Sequence, residues 1–160
     1  MTQPPRPKPQ VTDATGRTVA ANVRRLRELR GLSTYELARK LKEADRPIAP
    51  SALAKVERGE RRVDVGDLMA LAVVLGVSPT ALLLPPNARG EAEVTGAGSV
   101  SGYDAWMWAW CQSPLRMPAD EDSEEGMRAV REFELVSRPI GLYSQEGDDR
   151  LTHWARKSDG

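Results

Sequence analysis

Thirteen of the chain's 23 lysines and arginines lie between residues 17 and 62, where only six of its 23 acidic residues lie. Such a surplus on a short segment is the chemistry of phosphate recognition, because cationic side chains pair with backbone phosphates and release their counterions. The whole chain conceals it, since its formal net charge is zero. Residues 1–16 carry net +1, 17–62 net +7, 63–99 net −3 and 100–160 net −5. A basic module is therefore joined to an acidic one. Other chemistries lack their parts. Cys111 is the single cysteine, so no internal disulfide or cysteine-based zinc site can form. Beside a tryptophan cluster it reads as a small buried hydrophobe rather than an oxidant sensor. His153, the single histidine, has no companions for a metal site and reads as a surface residue of a frayed tail. The acidic run Asp120 to Glu125 stands where a helix dipole favours negative charge, so it does not call for catalytic carboxylates. Gly96, Gly98 and Gly102 lack both the spacing of a dinucleotide loop and a preceding strand. With no nucleophile beside a base and no phosphate loop, the chain is not expected to be an enzyme, and neither cofactor nor metal is implied.

The elements that must carry the cations are helices. From Thr18, Val19, Val23 and Leu26 recur at helical steps, and Gly31 supplies a left-handed cap. Ser33 with Glu36 forms a capping box for a second helix whose inner face is Leu37, Ala38 and Leu41. Pro50 suits the first position of a third helix with Ala52 or Leu53 and Val56 inside, closed by Gly59. A fourth runs from about Val65 to Leu75, with Leu68, Met69, Ala72 and Leu75 buried, and stops at Gly76. Ser78 and Pro79 open a short fifth containing Ala81 to Leu84. Five short helices over residues 17–86 make a compact all-α domain.

Around it, residues 1–16 contain four prolines and read as a disordered arm, whose Arg6 and Lys8 suit a solvated tail better than a minor-groove contact. Residues 87–102 read as a flexible linker. Residues 103–160 form an acidic, tryptophan-rich helical region, a smaller C-terminal companion to the first domain. Seven of the eight aromatic residues lie beyond residue 100. A helix from Tyr103 to Gln112 would align Tyr103, Trp106, Met107 and Trp110 on one face. Such a stripe needs cover, either from a second helix at about 120–138 bearing Met127, Val130, Phe133 and Val136, or from a partner. Two such helices make too small a core alone, so a dimer or protein-partner surface is expected there, with packing on the preceding helical domain as the alternative.

The segments "VRRLRELRGLSTYELARKL" and "SALAKVERGERRVDVGDLMALAVVLGVSPTALL" resemble the Cro and phage-repressor (Xre) family of helix-turn-helix regulators over roughly residues 18–84. The resemblance rests on Gly31-Leu32-Ser33 with Glu36-Leu37-Ala38, on Val56-Glu57-Arg58-Gly59 and on Leu75-Gly76-Val77-Ser78, in that order and spacing. It implies a five-helix lambda-repressor-like domain whose third helix enters the major groove of double-stranded DNA. By the family register Pro50, Ser51, Ala52 and Lys55 approach the bases. Lys55 can donate to guanine, Ser51 is promiscuous, Ala52 can touch a thymine methyl, and Pro50 offers no polar group. Thr34 and Tyr35 at the start of the second helix, and Arg58, Arg61 and Arg62 after the third, are implied phosphate contacts. The family also implies an ion pair between Arg27 and Glu57 that fixes the third helix against the first.

One departure stands out. Fifteen residues separate Leu41 from Glu57, about five more than the usual motif holds, and the glycine of the tight turn is missing. "KEADRPIA" must form a longer connection, with Ile48 plugging the core and Arg46 either near the DNA or an exposed loop cation. The expectation is a cytoplasmic regulator of transcription, a repressor acting as a homodimer on a pseudo-palindromic operator. The alternative is an antitoxin-like or adaptor module whose tail captures a protein. No apolar run is long enough for a membrane span, and Met1 to Gln10 has no apolar core of a secretory signal.

Overall fold

Asp13 starts the structure's first helix. In the computed structural model, which describes residues 10–139, its carboxylate accepts a 2.7 Å bond from the Gly16 amide and α1 runs Ala14–Leu29. The helix therefore begins four residues before Thr18, inside the stretch read as an arm, because an N-cap aspartate can organise a first turn with no apolar periodicity. Before it, the Val11 amide donates to the Gly59 carbonyl at 2.9 Å. Residues 1–9 and 140–160, with Arg6, Lys8, His153 and Trp154, lie outside the described residues.

The chain divides after Ala109 into two units. In the first, α2 spans Thr34–Glu43, α3 Pro50–Glu57, α4 Val65–Leu75 and α5 Thr80–Leu83. Val23, Leu37, Leu41, Leu53, Leu71 and Leu82 are fully buried at the centre of its core, and Ile48 seals the long connection. Gly31, Gly59 and Gly76 follow α1, α3 and α4 with positive φ. After α2 that position falls to Asp45 (φ 56°), whose neighbour Arg46 donates its amide to the Leu41 carbonyl at 2.9 Å, so the missing glycine is replaced by an aspartate in the left-handed region. In α4 the inner face is Asp67, Leu71, Ala72 and Leu75, while Met69 is 49% exposed. The helix is apolar almost throughout, so periodicity alone does not choose its face; the buried side combines Leu71, Ala72 and Leu75 in the core with Asp67, which is paired with Arg46 and Arg61. Val65, Met69 and Val73 are left exposed at four-residue spacing.

Buried Asn22 ties α5 to α1. Its Nδ2 donates to the carbonyls of Leu82 (3.1 Å) and Leu84 (2.7 Å), which a four-residue helix cannot satisfy by itself.

The all-α expectation needs correcting at the stretch read as a linker. Glu91–Val94 (β1) and Gly98–Ser101 (β2) form an antiparallel hairpin, Glu91 opposite Ser101 and Val94 opposite Gly98. Ala92 and Val94 point inward and Glu91 and Glu93 outward. Alternation over four residues in a glycine-rich setting is too short a signal to register as a strand. Thr95 at its turn exchanges bonds with α1: the Thr15 amide donates to Thr95 Oγ1 and the Thr95 amide to Thr15 Oγ1, both at 3.0 Å. The unit ends with α6, Gly102–Ala109, in which Ala105 is fully buried.

The second unit holds α7, Glu124–Ser137, capped by Ser123 through the Gly126 amide at 3.0 Å. Its start is fastened to its end: Arg138 donates through Nε to the Cys111 carbonyl (2.8 Å) and through Nη2 to Gln112 Oε1 (3.1 Å). Cys111 is half-buried. The inner face expected for this helix is not buried, with Met127 46% and Val136 84% exposed while Val130 and Phe133 are half-buried. The described residues thus make seven helices and one two-stranded sheet, and none of those helices is long and apolar enough to cross a membrane.

Candidate nucleic-acid interface

The third helix has one face in the core and one in solvent. Leu53 (0%) and Val56 (1%) anchor it, which turns Ser51, Lys55 and Arg58 outward at helical spacing. Ala52 and Pro50 are half-buried, and Ala52 packs against the core, so the polar part of the exposed surface is Ser51, Lys55 and Arg58. Pro50 occupies the first turn, where its missing amide costs no helical bond, and no side chain caps Ala49.

Helix α2 begins in the capping box. Ser33 Oγ accepts from the Glu36 amide at 3.2 Å and Glu36 Oε2 accepts from the Ser33 amide at 2.7 Å. Hydrogen bonding to the Glu36 carboxylate by the Ser33 amide, and after it by the Ser33 side chain, holds that carboxyl below its ordinary pKa. In the turn they brace, Tyr35 is 75% exposed and Thr34 half-buried.

Arg27 Nε donates to Glu57 Oε1 at 2.6 Å and Nη2 to Oε2 at 2.8 Å, while Nη1 donates to the Leu32 carbonyl at 2.8 Å. Little of either side chain of the pair reaches solvent, and the bond to Glu57 raises the Arg27 pKa above its ordinary value. The end of α3 is thereby fixed to α1 and to the loop leading into α2.

The three arginines after α3 differ in their engagements. Arg58 makes a two-point pair with Glu60, both bonds 2.9 Å, on the surface. Arg61 Nη2 donates to Asp67 Oδ2 at 3.0 Å. Arg62 is exposed and has no carboxylate within salt-bridge distance among the described residues.

Two groups escaped the sequence reading. Arg46 contacts α4: its Nε donates to Asp67 Oδ1 at 2.8 Å and its Nη2 to both oxygens of Asp64, at 2.9 and 2.8 Å. No sequence signal identified those carboxylates as its partners. Arg17, Arg24 and Arg25 of α1 line, with Glu28, Glu57 and Arg58, a shallow groove beside the end of α3. Their helical spacing to one another was the available clue.

Of the proposed partner surface, Tyr103 is 60% exposed, Met107 is half-buried, and Trp106 donates its indole N–H to the Pro85 carbonyl at 3.1 Å. Trp110 does not share their helix, since α6 ends at Ala109 and Trp110 begins the second unit. No group of three or more histidine, cysteine or acidic side chains among the described residues is arranged to hold a metal ion.

A braced helix, a turn, and a second helix presenting polar side chains beside a cationic surface define a helix-turn-helix DNA-binding regulator. The family model described as Helix-turn-helix matches residues 23–82, and the chain belongs to that family. Among solved structures it is similar to the restriction-modification controller protein C.AhdI from Aeromonas hydrophila, at 30% identity over 42% of this chain and 94% of that one, with a TM-score of 0.37. It is also similar to the hypothetical transcription factor NHTF from Neisseria, at 29% identity over 53% and 90% of the two chains, with a TM-score of 0.41. No curated protein matches the chain.

Proposed function

We propose that the chain is a transcriptional repressor that binds a pseudo-palindromic operator as a two-fold dimer, with recognition helices in major grooves about 34 Å apart. The observation that carries this reading is the exposure of Ser51 and Lys55 on the face of α3 opposite Leu53 and Val56. Lys55 and Ser51 read base edges, with Ala52 and Pro50 in van der Waals contact. Thr34, Tyr35, Arg58 and Arg62 hold phosphates, and Arg61 does so only by sharing its guanidinium with Asp67. The apolar side chains exposed on α4 and the Tyr103 side of α6 are surfaces for a second copy. Selection of bound duplexes from a random pool tests the reading: an enriched inverted repeat supports it, and no enrichment refutes it.

Exposed Trp110, Met127, Leu135 and Val136 favour a second reading, in which the C-terminal unit binds a protein partner. Light scattering of the full chain separates the two, because a concentration-independent monomer removes the dimeric operator mode.

A further inference from the structure

We propose that Asp67 is a positioning residue for the DNA-reading helix, clamping through Arg46 and Arg61 the two irregular segments that flank α3. The inference rests on the reading of α3 given above and says what sets its orientation.

Asp67 is 2% exposed and sits in the first turn of α4. Each of its carboxylate oxygens receives one guanidinium, Oδ1 from Arg46 at 2.8 Å and Oδ2 from Arg61 at 3.0 Å. Arg46 lies four residues before Pro50, and Arg61 four residues after Glu57. One carboxylate therefore joins the chain entering the recognition helix to the chain leaving it, across α3 itself. The site suits a negative charge. The Asp67 amide donates to Asp64 Oδ1 at 2.7 Å, and Asp64 takes the second arm of Arg46, so both carboxylates stand at the positive end of α4.

The arrangement answers a need that the sequence creates. A short turn fixes the angle between the two helices by its own geometry. Here the connection is long and glycine-free, and the backbone from Arg46 to Ala49 has no regular structure. Ile48 holds it by burial and Arg46 by charge. The Arg27–Glu57 pair secures one end of α3 to α1, and Asp67 secures both approaches to α4, which prevents the helix from rocking in its groove. Asp67 acts only through the arginines, and it withdraws Arg61 from the set of unrestrained cations.

The test uses the full chain with two probes, the duplex enriched by selection and a random duplex of equal length. Arg46→Gln is the primary variant, since its 44% exposed side chain can be replaced without opening the core. Asp67→Asn is the second, and both are assayed well below their melting temperatures. Each is expected to lose about ten-fold in affinity for the selected duplex while affinity for the random one changes much less, so the ratio falls. Arg46→Lys should restore part of that ratio, and the double variant should be no worse than Asp67→Asn alone. A purely structural role would lower both affinities together, and that result overturns the proposal. So does a folded Arg46→Gln with the wild-type ratio. A wild-type chain that prefers no duplex overturns the reading of α3, and this inference with it.

Discussion

Arg27 in α1 and Glu57 at the end of α3, thirty residues apart, face each other with two parallel bonds of 2.6 and 2.8 Å. Removing the carboxylate leaves a largely enclosed guanidinium with the Leu32 carbonyl and a looser 3.7 Å approach to Glu28. Glu57→Ala is therefore expected to destabilise the fold by about 2–4 kcal/mol and to weaken DNA binding with it. Thermal melting checks this, and an unchanged midpoint would exclude a structural role for the pair.

Lys55 and Arg62 should separate the two kinds of contact. Lys55→Ala is expected to cost about 1–3 kcal/mol on the selected operator and little on random DNA, since it removes a donor to base edges. Arg62→Ala should weaken both and reduce the salt dependence of log K by about one. Titrations of both duplexes at several salt concentrations distinguish these patterns. Equal binding of the operator by Lys55→Ala would show that the register of α3 on DNA is different.

Much of the first domain was legible because its signals are local and redundant. Capping residues, glycine stops and three- and four-residue apolar steps marked α1 to α5, and Ile48 was legible as a plug. Three kinds of feature were not. The face of α4 was hidden because nearly every residue of it is apolar, and the partners that let Asp67 join Leu71, Ala72 and Leu75 on its buried side, Arg46 and Arg61, come from elsewhere in the chain. The hairpin at 91–101 was hidden because each strand is only four residues long and set among glycines, and its turn is held by Thr15, eighty residues away. The end of α6 was hidden because the aromatic period continues through Trp110 although the helix does not, and Cys111 turns the chain with φ 58°.

Asn22 is a polar residue on an apolar helix face, and its partners explain it. Replacing it with leucine removes the donors to the Leu82 and Leu84 carbonyls and buries them unsatisfied. Asn22→Leu is expected to cost about 1–3 kcal/mol. Urea denaturation measures it, and a variant as stable as wild type would show that packing alone holds α5.

Asp45 offers the opposite sign. It holds φ at 56°, a region that glycine occupies without a Cβ penalty. Asp45→Gly should stabilise the chain by about 0.5–1 kcal/mol without changing the operator preference. A lower melting temperature would mean that the aspartate side chain contributes more than its backbone strain costs.

The pH dependence follows from carboxylates at helix starts. Asp13 is held below its ordinary pKa chiefly by the Gly16 amide, Asp64 chiefly by the Asp67 amide, and Glu36 chiefly by the Ser33 amide. In all three the fold favours the ionised form, so their contribution is complete above the ordinary carboxylate range of about pH 4–4.5 and is lost as pH falls through the folded values. The arginines whose pKa is raised, Arg27, Arg46 and Arg58, stay charged throughout this window and add no slope. Unfolding free energy should be flat near neutrality and decline on acidification below about pH 4.5. Asp13→Asn and Glu36→Gln keep a capping group but remove the titration. Each is expected to flatten the decline while changing stability at neutral pH only slightly, as urea titrations at pH 7 and below pH 4 would record. An unaltered decline in both would place the acid sensitivity on other carboxylates.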